Sequence, residues 1–158
     1  MFGCQQVLIK SDKDTQAVLE YLCSESAKLS NCGIYYSRQL YFKTGRIPNR
    51  AQLHKVLGTE NQNLHYKAFY SDTAQQILTG VAESFKSFLG LLKGIKNGMV
   101  TQRPKLPGYR QSGMALVTFT GRSVKLKDGM LRFPRWLQGK SVVWFRFFFP
   151  ANALKSRL

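Results

Sequence analysis

The feature that most constrains the fold of this 158-residue chain is an apolar repeat near its middle. Six apolar side chains recur at steps of three or four residues: Ile77, Val81, Phe85, Phe88, Leu92 and Ile95. Because an α-helix turns once every 3.6 residues, this spacing places all six on one helix face. It predicts a long helix over residues 73–96 that Ser71 or Asp72 caps. The opposite face carries basic residues, namely Lys86, Lys93 and Lys96.

A second helical segment precedes this repeat. Apolar residues recur at helical spacing from residue 14 to residue 42, which predicts a helix there. Ser11 followed by Asp14 resembles a capping box at its start, and Gly45 is the expected C-terminal stop. Gly33 falls inside the segment, where a glycine favours a kink or a division of the helix.

Two shorter helices are predicted between the long ones. The first covers residues 49–57, with Asn49 as the expected N-cap and Gly58 as the expected stop. The second covers residues 61–69. All four helices then fall within residues 12–98.

The pattern changes to strands on either side of this helical region. Alternating or continuous apolar runs predict strands over residues 4–10, 114–120, 123–127, 130–134 and 141–149. Asp128-Gly129 is a two-residue hairpin signal between two of them. An isolated N-terminal strand needs partners for its backbone, and the nearest strands follow residue 113. We therefore expect an α+β fold: a small β-barrel or curled antiparallel sheet built from both ends of the chain, with an inserted helical bundle.

The same reasoning divides the chain into domains. Residues 1–11 and 99–150 are expected to form the barrel, and residues 12–98 the inserted helical domain. Residues 97–113 between them are a flexible linker rich in Gly, Pro and basic residues. Residues 151–158 are expected to be a tail.

Charge indicates the kind of partner. The chain has 24 Lys and Arg against 8 Asp and Glu, a formal net charge of +16. Residues 1–85 hold 9 basic and 7 acidic side chains, whereas residues 86–158 hold 15 basic and 1 acidic. A basic composition spread for solubility would not be divided in this way. The second half is therefore predicted to grip a polyanion, and nucleic acid is favoured over an anionic membrane.

Cysteine usage and hydropathy exclude some classes of protein. The three cysteines, Cys4, Cys23 and Cys32, match no zinc-site spacing and fit small apolar residues in a reducing cytoplasm. No apolar run approaches the 18 residues of a membrane span, and no secretion signal is present at the N-terminus. We expect neither a membrane nor a small-molecule partner.

Four pieces of the sequence, within residues 4–136, resemble the N-terminal part of the TnpB (OrfB) family and its relatives, the type V CRISPR effectors. The opening strand leads directly into a helix. That helix carries the spacing Asn31-x-x-x-Tyr35-x-x-Arg38. The segment AQQILTGVAESFKSFLGLLK matches the family's Gln-rich helix with its aromatic-Lys-x-Phe turn. The basic segment RPKLPGYRQSG, followed by VTF and VKLKDGMLRFP, matches the family's linker and hairpin.

The resemblance implies a wedge-like barrel with an inserted recognition lobe. Such proteins belong to transposable elements, and the implied activity of the whole protein is RNA-guided DNA cleavage. The implied partners are a guide RNA and double-stranded DNA in a prokaryotic cytoplasm, at the nucleoid, and a homodimer is compatible with the sequence. The family's nuclease domain uses three separated acids to bind magnesium, often beside a four-cysteine zinc ribbon, and neither is expected in this chain. We therefore expect no catalytic residue, no metal and no cofactor, and interpret the end after Trp136 as an artificially shortened chain or a natural remnant.

Thirteen residues are candidates for contacting nucleic acid. Cations on the linker, the strands and the long helix can neutralise phosphates: Arg103, Lys105, Arg110, Arg122, Lys125, Lys127, Arg132, Lys93 and Lys96. Tyr109 can stack on an unpaired base or pack beneath the linker. Gln75 can pair with an adenine edge. Tyr36 and Arg38 belong to a polar and aromatic patch that can touch a duplex.

Two alternative functions remain open from the sequence. The paired short helices over residues 49–69 suit a stand-alone DNA-binding regulator of helix-turn-helix type. The chain can also be an inactive remnant or a partner of a full-length nuclease.

Overall fold

The computed structural model describes residues 12–99 and 101–125 in full, together with the backbone of residues 126–127, 130–132 and 144–145. Its helices are α1 (Lys13–Thr44), α2 (Arg50–His54), a π-helical turn (Lys55–Glu60), α3 (Leu64–Lys67) and α4 (Ser71–Lys96). Its strands are β1 (Lys125–Lys127), β2 (Met130–Arg132) and β3 (Trp144–Phe145).

Helix α1 confirms the predicted helix over residues 14–42 and is longer at both ends. Its N-cap is Asp12, whose carboxylate accepts a hydrogen bond from the Thr15 N–H at 2.7 Å. The predicted capping box from Ser11 to Asp14 is wrong, because Asp12 takes the N-cap position. Gly45 ends the helix as expected, in the left-handed region at φ 68° that favours glycine.

Gly33 does not divide α1, because the helix continues through it. A methyl group on Gly33 would lie 3.1 Å from Cδ2 of Leu78 and 3.5 Å from Val81. The missing side chain thus lets α1 and α4 approach closely. The core lies between these two helices and beneath the short ones. Its buried members are Leu22, Leu29, Ile34, Leu53, Leu57, Tyr66, Phe69, Ala74, Ile77, Leu78, Val81 and Phe85.

The region of the two predicted short helices contains α2, the π-helical turn and α3. Asn49 caps α2 as expected, in a reciprocal capping box with Gln52 at 2.9 and 3.0 Å. Gly58 does not stop the helix but lies inside the π-helical turn, under the ring of Tyr66. Asn63 then accepts hydrogen bonds from two backbone N–H groups at the start of α3.

Helix α4 confirms the predicted long helix and most of its apolar face. The first four residues of the repeat are buried, whereas Leu92 and Ile95 are half-buried. The predicted cap is wrong: the N-cap is Tyr70, which makes no side-chain hydrogen bond there. Asp72 instead turns to the segment that follows α4, where it accepts a hydrogen bond from Thr120.

The predicted β-barrel is wrong, and so is the α+β fold class built on it. The described residues are mostly helical, and their strands are only three, three and two residues long. The antiparallel pairing of β1 with β2, with Lys127 opposite Met130, confirms the predicted hairpin. β3 pairs antiparallel with β2, so these strands form an open three-stranded meander without barrel closure.

The segment over residues 114–120, predicted as a strand, belongs to no sheet in the described structure. The burial of its side chains nevertheless alternates: Ala115, Val117 and Phe119 are half-buried, whereas Met114, Leu116 and Thr118 are exposed. The segment is extended, but it is covered by helices. Apolar side chains that alternate with a period of two indicate that an extended chain buries one face. The alternation does not indicate which element covers that face.

The described residues decide neither of two other expectations. The predicted N-terminal strand over residues 4–10 lies outside the described residues. The domain boundaries at residues 11, 98 and 150 stay predictions.

Among the described helices, none combines the length and the apolar character that crossing a membrane requires.

Candidate nucleic-acid interface

After α4 the chain runs as an extended strap (residues 101–120) against α1. The Arg110 N–H donates to Oδ1 of Asn31 at 2.8 Å, and Nδ2 of Asn31 donates to the Arg110 carbonyl at 3.3 Å. Nearer the C-terminal end of α1, Nη1 of Arg38 donates to the Pro107 carbonyl at 3.0 Å. The segment expected to be a flexible linker is therefore fixed at two points by side chains of one helix.

The second half of the strap is bound to the first half of α1. The Ala115 N–H donates to the Cys23 carbonyl at 3.0 Å. Oγ of Ser26 donates to the Leu116 carbonyl at 2.9 Å. The contacts thus move from Arg38 through Asn31 to residues 23–26 of α1 as the strap advances, so the two segments run antiparallel.

The strap ends at the beginning of α4. Thr120 donates to Asp72, and Nη2 of Arg122 lies 3.3 Å from the other carboxylate oxygen of Asp72. Ser123 closes the turn after the strap through a bond to the Thr120 carbonyl at 2.9 Å. Arg122, a predicted phosphate contact, therefore has an acidic partner within the protein, although its side chain remains exposed.

The side chain of Arg38, a residue of α1, lies between that helix and the strap. Its guanidinium carbon is 5.5 Å from the centre of the Phe42 ring and 5.7 Å from that of the Tyr109 ring. These distances are typical of cation–π contacts. Of the other tyrosines named in this region, Tyr36 packs against the core, whereas Tyr35 is 58% exposed.

Three predicted phosphate contacts meet at an open cavity of about 480 Å³ at the C-terminal end of α4. They are Lys93, Lys96 and Arg103. Leu89, Leu92 and Ile95 supply its apolar wall. Lys93 and Lys96 are thus not separated from the end of the apolar face, because they line the same cavity.

Gln75 is half-buried and bonds within the protein. Its amide lies 2.9 Å from Nε2 of His54. The neighbouring Tyr66 ring packs edge-on against His54, with ring centres 5.4 Å apart. Burial raises the pKa of the Tyr66 hydroxyl. The structure thus gives Gln75 a role in packing α2 and α3 onto α4.

The remaining predicted site residues follow the strap and the strands. Lys105, Arg110 and Lys125 have exposed side chains. Lys127 is the last residue of β1, and Arg132 of β2 is the register partner of Lys125. The side chains of Lys127 and Arg132 lie outside the described residues.

Most of these cations form no ion pair within the described part of the chain. The described pairs join Lys28 and His65 to Glu25, Lys55 to Glu60 and Arg122 to Asp72. Lys93, Lys96, Arg103, Lys105 and Arg110 are in none of them. The sequence explains why: residues 26–59 hold six basic and no acidic side chains, and residues 84–127 hold nine and none. The strap and the part of α1 from residue 26 onward thus come from two acid-free segments.

Sequence reasoning missed Asn31 and Phe42 of this surface as candidates, and it placed Tyr35 in the polar and aromatic patch while giving the core as an equal alternative. Asn31 holds the strap, and Tyr35 and Phe42 are exposed aromatic residues on the same helix. Residues 31, 35, 38 and 42 are spaced four, three and four apart, so they share one face of α1. That spacing is a usable signal, because a face carrying two aromatic residues, an Asn and an Arg differs from an apolar core face.

The described residues contain no cluster of three or more His, Cys, Asp or Glu side chains that could hold a metal ion. Cys23 and Cys32 are free thiols and half-buried, and burial raises the pKa of the Cys23 thiol.

Comparison of the chain with protein-family models and with curated proteins gave no match.

Proposed function

We propose that this chain is a nucleic-acid-binding fragment of a transposon-encoded RNA-guided DNA endonuclease of the TnpB type. It binds the scaffold of the guide RNA and the target DNA, and it contributes no catalytic centre of its own. One observation carries the proposal: the strap is held in an extended form along α1, and its cations Arg103, Lys105 and Arg110 have no acidic partner in the described structure.

The strap has suitable dimensions for following a phosphate backbone. Seven peptide steps separate Arg103 from Arg110, so an extended chain spans at most about 25 Å between them. Its cations, with those at the α4 cavity, can neutralise several phosphates and release their counterions. Because hydrogen bonds already fix the strap, less conformational entropy is lost when nucleic acid binds.

Contacts between two of the pieces that resemble the family also support the proposal. The spacing Asn31-x-x-x-Tyr35-x-x-Arg38 and the segment RPKLPGYRQSG are about 70 residues apart in the chain. Asn31 and Arg38 nevertheless form direct hydrogen bonds with the backbone of that segment. The two pieces therefore act together as one structural unit.

A salt titration of nucleic-acid binding tests the proposal. A triple variant, Arg103→Gln, Lys105→Gln and Arg110→Gln, removes three strap cations. We expect the slope of log Kobs against log salt concentration to become shallower by about 2–3 for structured RNA and duplex DNA. The control carries the same loss of charge elsewhere: Lys13→Gln, Lys55→Gln and Lys67→Gln, all exposed. An equal change in both variants, or no binding by the natural chain at low salt, would contradict the proposal.

The helix-turn-helix alternative finds little support in the short helices. α2 has five residues and α3 has four, and their apolar residues Leu53 and Tyr66 are buried. A recognition helix has to present several side chains to base edges in the major groove. Footprinting on duplex DNA without RNA separates the two functions, because only a regulator of this type would protect one sequence on its own.

A further inference from the structure

Three exposed aromatic rings and the half-buried Arg38 form a surface that the proposed phosphate contacts alone do not explain. We call it the aromatic ridge: Tyr35, Arg38, Phe42 and Tyr109. Its three rings are 58%, 64% and 48% exposed, respectively. In contrast, Phe69, Phe85 and Phe88 are buried in the core. Grouped exposed aromatic residues on a soluble domain mark an interaction site.

Contacts within the protein hold the ridge residues in place. Arg38 is held by its hydrogen bond to the Pro107 carbonyl, and its guanidinium contacts the Phe42 and Tyr109 rings. Asn31 fixes the backbone of Arg110, the residue next to Tyr109. The two rings come from different parts of the chain, yet both contact the same guanidinium.

Charge decides which partner suits these rings. Both segments that supply the ridge, residues 26–59 and 84–127, lack acidic side chains. Lys105 and Arg110 flank Tyr109 in the chain and have exposed side chains. Aromatic rings beside unpaired cations suit an unpaired base, which offers a flat face to stack on and a phosphate on each side. A stacked base inside a duplex offers no such face.

We propose that the aromatic ridge is a stacking site for an unpaired base in a single-stranded stretch of nucleic acid. The base stacks on the exposed parts of the Tyr109 and Phe42 rings, and Lys105 and Arg110 neutralise the adjacent phosphates. This inference rests on the proposed function and deepens it, because it assigns part of the same surface to single strands.

Binding of fluorescent oligonucleotides to the whole chain tests the inference. Single strands of about 12 nucleotides, one of RNA and one of DNA, are compared with a duplex of the same length. We expect Tyr109→Leu and Phe42→Leu each to weaken single-strand binding about 5- to 100-fold and duplex binding less than about 2-fold. Tyr109→Phe keeps the ring and should retain binding. The RNA and DNA arms show which strand the site prefers.

A second readout reports stacking directly. A 2-aminopurine base in the single strand should lose fluorescence on binding to the natural chain and to Tyr109→Phe, but much less on binding to Tyr109→Leu. Thermal unfolding of each variant controls for folding, which these exposed positions should tolerate. Tyr21→Leu is the matched control, because Tyr21 is 49% exposed on α1 and outside the ridge.

The outcomes separate this inference from the proposed function. If the variant lacking three strap cations loses affinity while Tyr109→Leu and Phe42→Leu bind single strands like the natural chain, the ridge is not a base-stacking site and only the inference is overturned. If the natural chain binds neither single strands nor duplex, both are overturned. An equal loss for Tyr21→Leu would also overturn the assignment to the ridge.

Discussion

Asn31 and Arg110 lie 79 residues apart in the sequence, yet the amide of one closes two hydrogen bonds with the backbone of the other. A neighbouring strand would satisfy this part of the strap in the same way, through one donor and one acceptor. A helix can thus hold an extended chain without a sheet, provided that one side-chain amide supplies both groups.

Replacing Asn31 should loosen the strap without unfolding the helices. We expect Asn31→Ala to lower the free energy of unfolding by about 1 kcal/mol, because hydrogen bonds at an exposed site contribute modestly. The local effect should be larger, with faster hydrogen exchange at the Arg110 amide. Asn61→Ala, at an exposed position near α3, is the control. Unchanged exchange at Arg110 would show that the strap does not depend on Asn31.

Two glycines in helical segments should respond to alanine in opposite directions. A methyl group on Gly58 would lie 2.8 Å from the buried ring of Tyr66, so Gly58→Ala should destabilise the protein by about 1–3 kcal/mol. Gly80 in α4 is exposed and has open space around it, so Gly80→Ala should stabilise it by about 0.5–1 kcal/mol. Urea unfolding measures both. The same sign for both variants would contradict the described packing of Tyr66.

The packing of α1 on α4 depends on Leu29, which is fully buried. We expect Leu29→Ala to cost about 2–5 kcal/mol, because it leaves a cavity in the core. Leu91→Ala removes the same atoms from a side chain that is 45% exposed and should change stability by less than about 0.5 kcal/mol. Equal losses of unfolding free energy for the two variants, measured by chemical denaturation, would contradict the placement of Leu29 in the core.

Glu25 should make stability depend on pH in the acidic range. Burial alone would raise the pKa of its carboxyl, but hydrogen bonds from Lys28 and His65, both at 2.7 Å, outweigh burial and lower that pKa from its ordinary 4.5. Because the folded pKa is below the unfolded one, the carboxylate stabilises the fold above about pH 4.5 and loses this effect as the pH falls through the folded pKa.

The measurement compares unfolding free energies of the natural chain and Glu25→Gln from neutral pH into acid. We expect a loss of about 1 kcal/mol at neutral pH that shrinks as the pH falls below the ordinary pKa of a carboxyl. Glu83→Gln, at an exposed position, controls for the change in net charge. A difference that stays constant across this range would contradict the assigned role of Glu25.

The sequence by itself was sufficient where the deciding energy is local. The period of the six apolar residues located α4, the side chain of Asn49 marked the start of α2, and Gly45 marked the end of α1. Each signal depends on backbone groups or turns within a few residues, so no distant part of the chain is needed to interpret it. The acid-free composition of the strap was likewise readable from the sequence.

Only the tertiary structure decided what covers each face and which groups meet. The alternation over residues 114–120 correctly marked a half-buried face, but helices rather than a sheet cover it, so the expected barrel did not form. Burial of apolar surface has no direction, and a backbone N–H is satisfied by any suitable acceptor. For the same reason Asp72 does not cap α4 but accepts a hydrogen bond from Thr120, and the half-buried Gln75 bonds to His54.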